Sequence, residues 1–196
     1  MLAAAQGNAI MPALETPICN FGWSAPDFSL PDLDGKMHSL PDIRGETATL
    51  IMFICNHCPY VRAVAERLVA DAKQLQSIGV GVAAIMSNDW QAYPADAPDK
   101  MRAFAAEHGF TFPYLIDESQ AVARAYDAIC TPDFFGLDAD LGLQYRGRLD
   151  ESRTQPAAPG AKRELLEAMR QVVETGQGPR QQIASMGCSI KWRQAA

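Results

Sequence analysis

Two stretches of the chain carry no charge and alternate with nothing polar enough to face water. Thr47 to Ile54 (TATLIMFI) and Val80 to Met86 (VGVAAIM) are short and apolar, the pattern of strands covered on both faces. Between them the period changes. From Pro59 onward Val61, Val64, Ala65, Leu68, Val69, Ala72 and Leu75 follow the 3.6-residue spacing of one helical face, and Gly79 ends the run. Strand, helix and strand in that order make a right-handed parallel crossover, so the pattern predicts an α/β protein.

The flanking segments predict smaller elements. Ala25 to Leu40 reads as a short hairpin turning at Asp34-Gly35, preceded by a mixed, turn-rich extension over 1–24. The stretch from Asp89 to Asp99 is interrupted by Pro94 and Pro98 and is too polar for a strand. A helix is expected over Pro98 to His108, with Gly109 past its end. A strand at Phe112 to Ile116, a short helix at Ser119 to Tyr126 capped by Ser119 or Asp117, and a hairpin of Asp133–Leu137 with Leu143–Arg148 follow. Residues 151–161 read as a Pro/Ala linker. An amphipathic helix, Lys162 to Thr175, then presents Leu165, Leu166, Met169, Val172 and Val173, and a Gly-containing polar tail closes the chain. We see no internal repeat, and expect one domain over 25–196.

Composition narrows the function classes. The 196 residues carry 17 Lys and Arg against 23 Asp and Glu, a net charge of −6 without a basic block, so nothing suggests a nucleic-acid or anionic-membrane partner. No apolar run approaches the ~20 residues of a membrane span. Met1 to Ile10 lacks a basic start and a long apolar stretch; we expect a cytoplasmic protein, with Met11 an alternative start and residues 1–10 then a loose leader. Five cysteines are too few and too irregular for a disulfide-stapled scaffold, and the odd count leaves a thiol over.

Cys55-Asn-His-Cys58 stands where the first buried strand meets the long helix. A helix start stabilises a thiolate, and the three-residue spacing lets the two sulfurs close a disulfide. We expect Cys55 at an exposed lip as the attacking sulfur, Cys58 drawn into the helix, and His57 as an imidazolium favouring the thiolate. A buried structural pair and half a zinc site are the bland alternatives. Zinc needs two further ligands, and Cys19, Cys130, Cys188, His38 and His108 supply no second close pair, so no metal and no organic cofactor is expected.

Cys55-Asn-His-Cys-Pro-Tyr-Val61 after a buried strand, with Thr131-Pro132 before a later one, resembles the thioredoxin fold. Ala25-Pro-Asp-Phe28, Ser87-Asn-Asp89, Cys130-Thr-Pro-Asp-Phe-Phe135 and Gly187-Cys-Ser-Ile-Lys-Trp192 extend the resemblance to a bacterial branch of the alkyl hydroperoxide reductase/thiol-specific antioxidant (redoxin) superfamily. It implies a central mixed sheet flanked by helices, with the hairpin, the insertion before the second core helix and the C-terminal helix and tail as additions. It also implies thiol-disulfide exchange in which Cys55 attacks and Cys58 resolves. Pro132 would be a cis-proline facing the pair, and the Thr131 backbone would be open to an extended substrate. The partners implied are a protein or small-molecule disulfide and a thiol reductant.

The chain departs from relatives in three places. Thr49 stands where thioredoxin has a buried Asp, Ile54 where it has Trp, and Met52 where peroxiredoxins carry Thr ahead of the peroxide-reacting Cys. The rival readings are therefore a peroxide-reducing enzyme using Cys55, and a non-catalytic metal-binding or assembly module using the same pair. Cys130 and Cys188 are candidate accessory thiols for a relay, against the alternative of small buried hydrophobes, and Cys19 is a bystander. His38, His108 and Lys191 are expected at the surface, and Trp90 and Tyr93 either line the active-site face or anchor the insertion.

Overall fold

The computed structural model describes residues 13–194; the leader expected at 1–10 lies outside them. In chain order the elements are β1 (Ala13–Glu15), β2 (Ser29–Pro31), β3 (Met37–Ser39), α1 (Leu40–Ile43), β4 (Ala48–Phe53), α2 (Pro59–Gln76), β5 (Val80–Met86), α3 (Pro98–His108), β6 (Tyr114–Ile116), α4 (Ala121–Ala125), β7 (Cys130–Thr131), β8 (Asp133–Asp138), β9 (Leu143–Tyr145), α5 (Glu164–Thr175) and β10 (Met186–Ser189). No described helix is long and apolar enough to cross a membrane.

β4 is the centre of a five-stranded mixed sheet ordered β6-β5-β4-β8-β9, parallel to β5 and antiparallel to β8. Its six residues are all buried because both faces are covered. Leu50 and Met52 join Val61, Leu68, Leu165 and Met169 on the side of α2 and α5. Ile51 and Phe53 join Phe28, Leu40, Tyr126 and Phe135 on the other. Each such side chain contributes about 1.5–3 kcal/mol by leaving water, so the apolar run of β4 anchors two cores at once. A central mixed sheet flanked by helices is the thioredoxin arrangement.

Local chemistry explains the shorter elements. The β2–β3 hairpin turns where Asp32 accepts hydrogen bonds from the Asp34 and Lys36 amides at 2.9 Å each, with Gly35 at φ +81°, a value natural only to glycine. The hairpin then runs straight into α1, unforeseen from the sequence, whose Ser39 cap and Asp42 form a reciprocal capping box. The short helix α4 begins two residues later than expected. Gln120 precedes it at φ 63°, while Ser119 Oγ and Asp117 Oδ2 accept the Ala121 and Ala123 amides at 3.2 and 2.9 Å.

The ends of the chain differ most from expectation. The tail contains β10, which lies between β1 and β7 in a second sheet, with Cys188 opposite Ala13 on one side and Thr131 on the other. Residues 13–15 therefore belong to the folded unit rather than to a separate extension. Gly187 makes the approach possible: a Cβ there would stand 2.0 Å from the Thr131 carbonyl oxygen, far inside van der Waals contact.

Candidate active site

Cys55 follows the end of β4, Cys58 is the residue that starts α2, and β7 and β10 close over them. The Cys55 Sγ is 3.3 Å from Thr131 Oγ1, and the Cys58 Sγ is 3.0 Å from the Thr131 carbonyl oxygen and 2.9 Å from the Cys188 Sγ. All are free thiols. Cys55 does not stand at an exposed lip: its relative exposure is 1%, against 0% for Cys58. The insertion holds the turn that follows Cys55. Asp96, wholly buried, accepts hydrogen bonds from the Asn56 amide at 2.8 Å and the His57 amide at 3.3 Å, which draws the turn between the cysteines beneath it.

That burial also moves the charge. Desolvation first, then the Cys58 thiol and the Asp96 carboxylate, push the Cys55 thiol up. Burial opposes ionisation of Cys58 too, but the Cys188 and Cys55 thiols and the Val61 amide outweigh it, and Cys58 is drawn well below the ordinary thiol range. Cys188 is pushed up, first by its hydrogen-bonded contact with Cys58 and then by burial. Of the three sulfurs Cys58 is the one whose ionisation is favoured, whereas the sequence alone predicts the lowered thiol at Cys55. The helix-start argument holds; it applies to Cys58, the residue at that start. A proton passed from Cys55 to Cys58 would leave Cys58 facing the Thr131 carbonyl as its acceptor, with Thr131 Oγ1 beside the Cys55 thiolate.

His57 stays partly exposed, with Nδ1 2.7 Å from Asp96 Oδ2. The Asp96 carboxylate raises its pKa against the opposing effect of burial. Its ring lies parallel to that of Tyr93, centroids 6.4 Å apart, which sets Tyr93 on the active-site face; Trp90 packs against the core. Asp96 was not foreseen from the sequence because it sits in a Pro-rich segment that reads as a polar linker. Its Oδ2 also accepts from Asn88 Nδ2 at 2.8 Å, Asn88 Oδ1 accepts from the Lys191 amide at 2.8 Å, and the Asp89 amide donates to the Lys191 carbonyl at 2.8 Å. The phrases around Asn88 and Lys191 therefore lock together and hold β10 in place.

The other candidates divide clearly. The Thr131–Pro132 bond is cis, but the Thr131 backbone is not open: β10 pairs with it. Cys130 Sγ faces the Pro132 carbonyl at 3.7 Å, and burial pushes its thiol up, so Cys188 alone of the two accessory candidates meets the pair. Lys191 is buried, not at the surface, its Nζ donating to the Ser189 carbonyl and hydroxyl at 2.8 and 3.0 Å. His38 is drawn to Asp32 at 2.8 Å, and His108 packs edge-on to Phe104, centroids 4.5 Å apart; neither is simply solvated. Cys19 packs beside the second core, and burial pushes its thiol up to about 11. Thr49 accepts from the Gly45 amide at 3.1 Å, and Met52 is in the core.

One set of side chains resembles a cation site: the ligand atoms of Cys55, His57 and Asp96 lie within 4.8 Å of one another. The 2.7 Å His57–Asp96 contact is shorter than the separation of about 3.3 Å between N and O ligands around a tetrahedral zinc at about 2.0 Å. Imidazole and carboxylate are here each other's partners.

Comparison with known proteins finds relatives of the same family and fold. Residues 21–147 match the model of the AhpC/TSA family. The chain is 28% identical over 123 residues to the thiol-disulfide oxidoreductase ResA of Geobacillus thermodenitrificans, a match spanning 60% of this chain and 63% of that protein. It is 28% identical over 116 residues to the peroxiredoxin Bcp of Escherichia coli K12, spanning 59% and 69%. A crystal structure of a conserved Geobacillus kaustophilus protein superposes with a TM-score of 0.89 at 46% identity, covering 95% of this chain and 99% of that one. A secreted Mycobacterium tuberculosis disulfide oxidoreductase shares the fold, with a TM-score of 0.55 at 18% identity over 75% and 95% of the two chains.

Proposed function

We propose that this chain, which belongs to the AhpC/TSA family, is a thiol-disulfide oxidoreductase in which Cys55 attacks a substrate disulfide and Cys58 resolves the result. The observation that carries this reading is the contact of Cys55, Cys58 and the Thr131-Pro132 turn at the start of α2. Cys55 first yields its proton to the Cys58 thiolate. Its sulfur then bonds to one substrate sulfur as the substrate S–S bond breaks, and the other leaves as a thiolate that takes the proton back from Cys58. Cys58, a thiolate again, next attacks the Cys55 Sγ, closing the Cys55–Cys58 disulfide and expelling the second substrate sulfur as a thiolate that takes a proton from water, so two electrons pass from protein to substrate. The Thr131 hydroxyl beside the Cys55 sulfur favours negative charge there, against burial and the Asp96 carboxylate, which oppose it. A separate thiol reductant restores the pair, and the reducing cytoplasm is the proposed setting.

Peroxide reduction is the second reading, favoured by the likeness to Bcp and weakened by Met52. Turnover of oxidised glutathione or a disulfide peptide, with dithiothreitol as reductant, separates the two. The wild type should reduce the disulfide and the Cys55→Ser variant should not. Hydrogen peroxide consumed faster than the disulfide would move the assignment to the peroxidase.

A further inference from the structure

β10 lies on the Thr131 edge, the backbone that the resemblance assigns to an extended substrate, and it brings a cysteine to the active-site sulfurs. Cys188 pairs with Thr131 in register, is 3% exposed, and touches Cys58 at 2.9 Å. Three features hold it there. Gly187 has no Cβ to strike the Thr131 carbonyl, β1 pairs along the other side of β10, and Lys191 is tied to Asn88 and Asp89. The contact is shorter than an ordinary separation between unbonded sulfurs, and closing it to the ~2.05 Å of a disulfide needs a movement of only about 1 Å.

We propose that Cys188 is a third redox thiol of the site, and that the oxidised protein passes its disulfide from Cys55–Cys58 to Cys58–Cys188. The step balances as an exchange. Cys188 loses its proton and its sulfur attacks the Cys58 Sγ; the Cys58–Cys188 bond forms as the Cys55–Cys58 bond breaks, and Cys55 leaves as a thiolate that takes up the proton. No electrons are gained or lost in this step, because the oxidation arrived earlier from the substrate disulfide. The consequence is an oxidised form in which Cys55 is again a free thiol. Lys191, whose positive charge favours ionisation of Cys188, assists the attack. The inference rests on the proposed exchange chemistry for the source of the oxidation.

The test uses the whole chain. The reduced protein is oxidised with oxidised glutathione, free thiols are blocked with iodoacetamide, and the tryptic peptides are mapped. Cys55 and Cys58 share the peptide 45–62 and Cys188 lies in 181–191, so the two disulfides are distinguishable by mass. We expect the two peptides joined in part of the wild-type protein, and separate in Cys58→Ser and, because the Cys55–Cys58 disulfide that is passed on cannot form there, in Cys55→Ser. Cys188 alkylated throughout the oxidised wild type, or a cross-link that survives in Cys58→Ser, would overturn the proposal. A cross-link in a protein that turns over no disulfide would refute the proposed activity and leave the role of Cys188 standing; turnover with Cys188 always alkylated would do the reverse.

Discussion

Replacing Asp96 by Asn tests how the insertion governs the active-site turn. The carboxylate is fully buried and faces four nitrogens: the Asn56 and His57 amides, Asn88 Nδ2 and His57 Nδ1. An amide of the same shape turns its NH2 toward at least one of these donors and removes the charge opposite His57. Removing one partner of a buried ion pair costs about 3–5 kcal/mol; because His57 remains partly exposed, about 3 kcal/mol is the fitting magnitude. With a urea m-value of about 2 kcal/mol/M, the unfolding midpoint should fall by about 1.5 M. The pH dependence follows from the raised His57 pKa. A histidine raised in the folded state contributes stability that is complete below its unfolded value of about 6.5 and is lost as pH rises through the folded value. The gap between wild type and Asp96→Asn should therefore be widest below pH 6.5 and narrow above it, leaving the part due to the amide hydrogen bonds. Urea titrations across pH, with NMR titration of the His57 ring, measure both. The same His57 pKa in both proteins, or a gap that widens with pH, would refute the reasoning.

Gly187→Ala should cost about 1–3 kcal/mol of stability, as other overpacked sites do, and should reduce the yield of the Cys58–Cys188 cross-link; unchanged values for both would mean that β10 does not need that close approach. The ultraviolet absorbance of the reduced protein should show one thiolate per chain persisting well below the ordinary thiol value of about 8.5 and missing from Cys58→Ser, whereas ionisation at the ordinary value would contradict the placement of charge on Cys58. Asp133→Asn should lose about 3–5 kcal/mol, because it leaves the Arg146 guanidinium buried without the carboxylate now 2.9 Å away; a urea midpoint equal to wild type would count against that pairing.

The central unit was legible in the sequence because its information is local. The uninterrupted apolar run of β4, the helical period of α2 and the run of β5 each declare their element within a few residues, and together they place Cys55 and Cys58 at a strand-to-helix junction. The edges were not legible for the opposite reason. β10 reads Met-Gly-Cys-Ser, too short and too mixed to signal a strand, and it forms only by pairing with Thr131 and with residues 13–15, far away along the chain. Asp96 looks like one more polar residue in a Pro-rich insertion until the fold sets it over the Asn56 and His57 amides. The burial of Cys55 and the lowered thiol at Cys58 both involve these distant segments, so spacing alone brings the two cysteines together without showing which sulfur ionises more readily.

Mass spectrometry of Cys58→Ser after reaction with a disulfide substrate tests the central claim most directly. The account predicts a stable mixed disulfide between the substrate and Cys55, released by dithiothreitol and absent when Cys55 is also changed to Ser. Full turnover by Cys58→Ser with no trapped adduct, or an adduct that persists without Cys55, would contradict it.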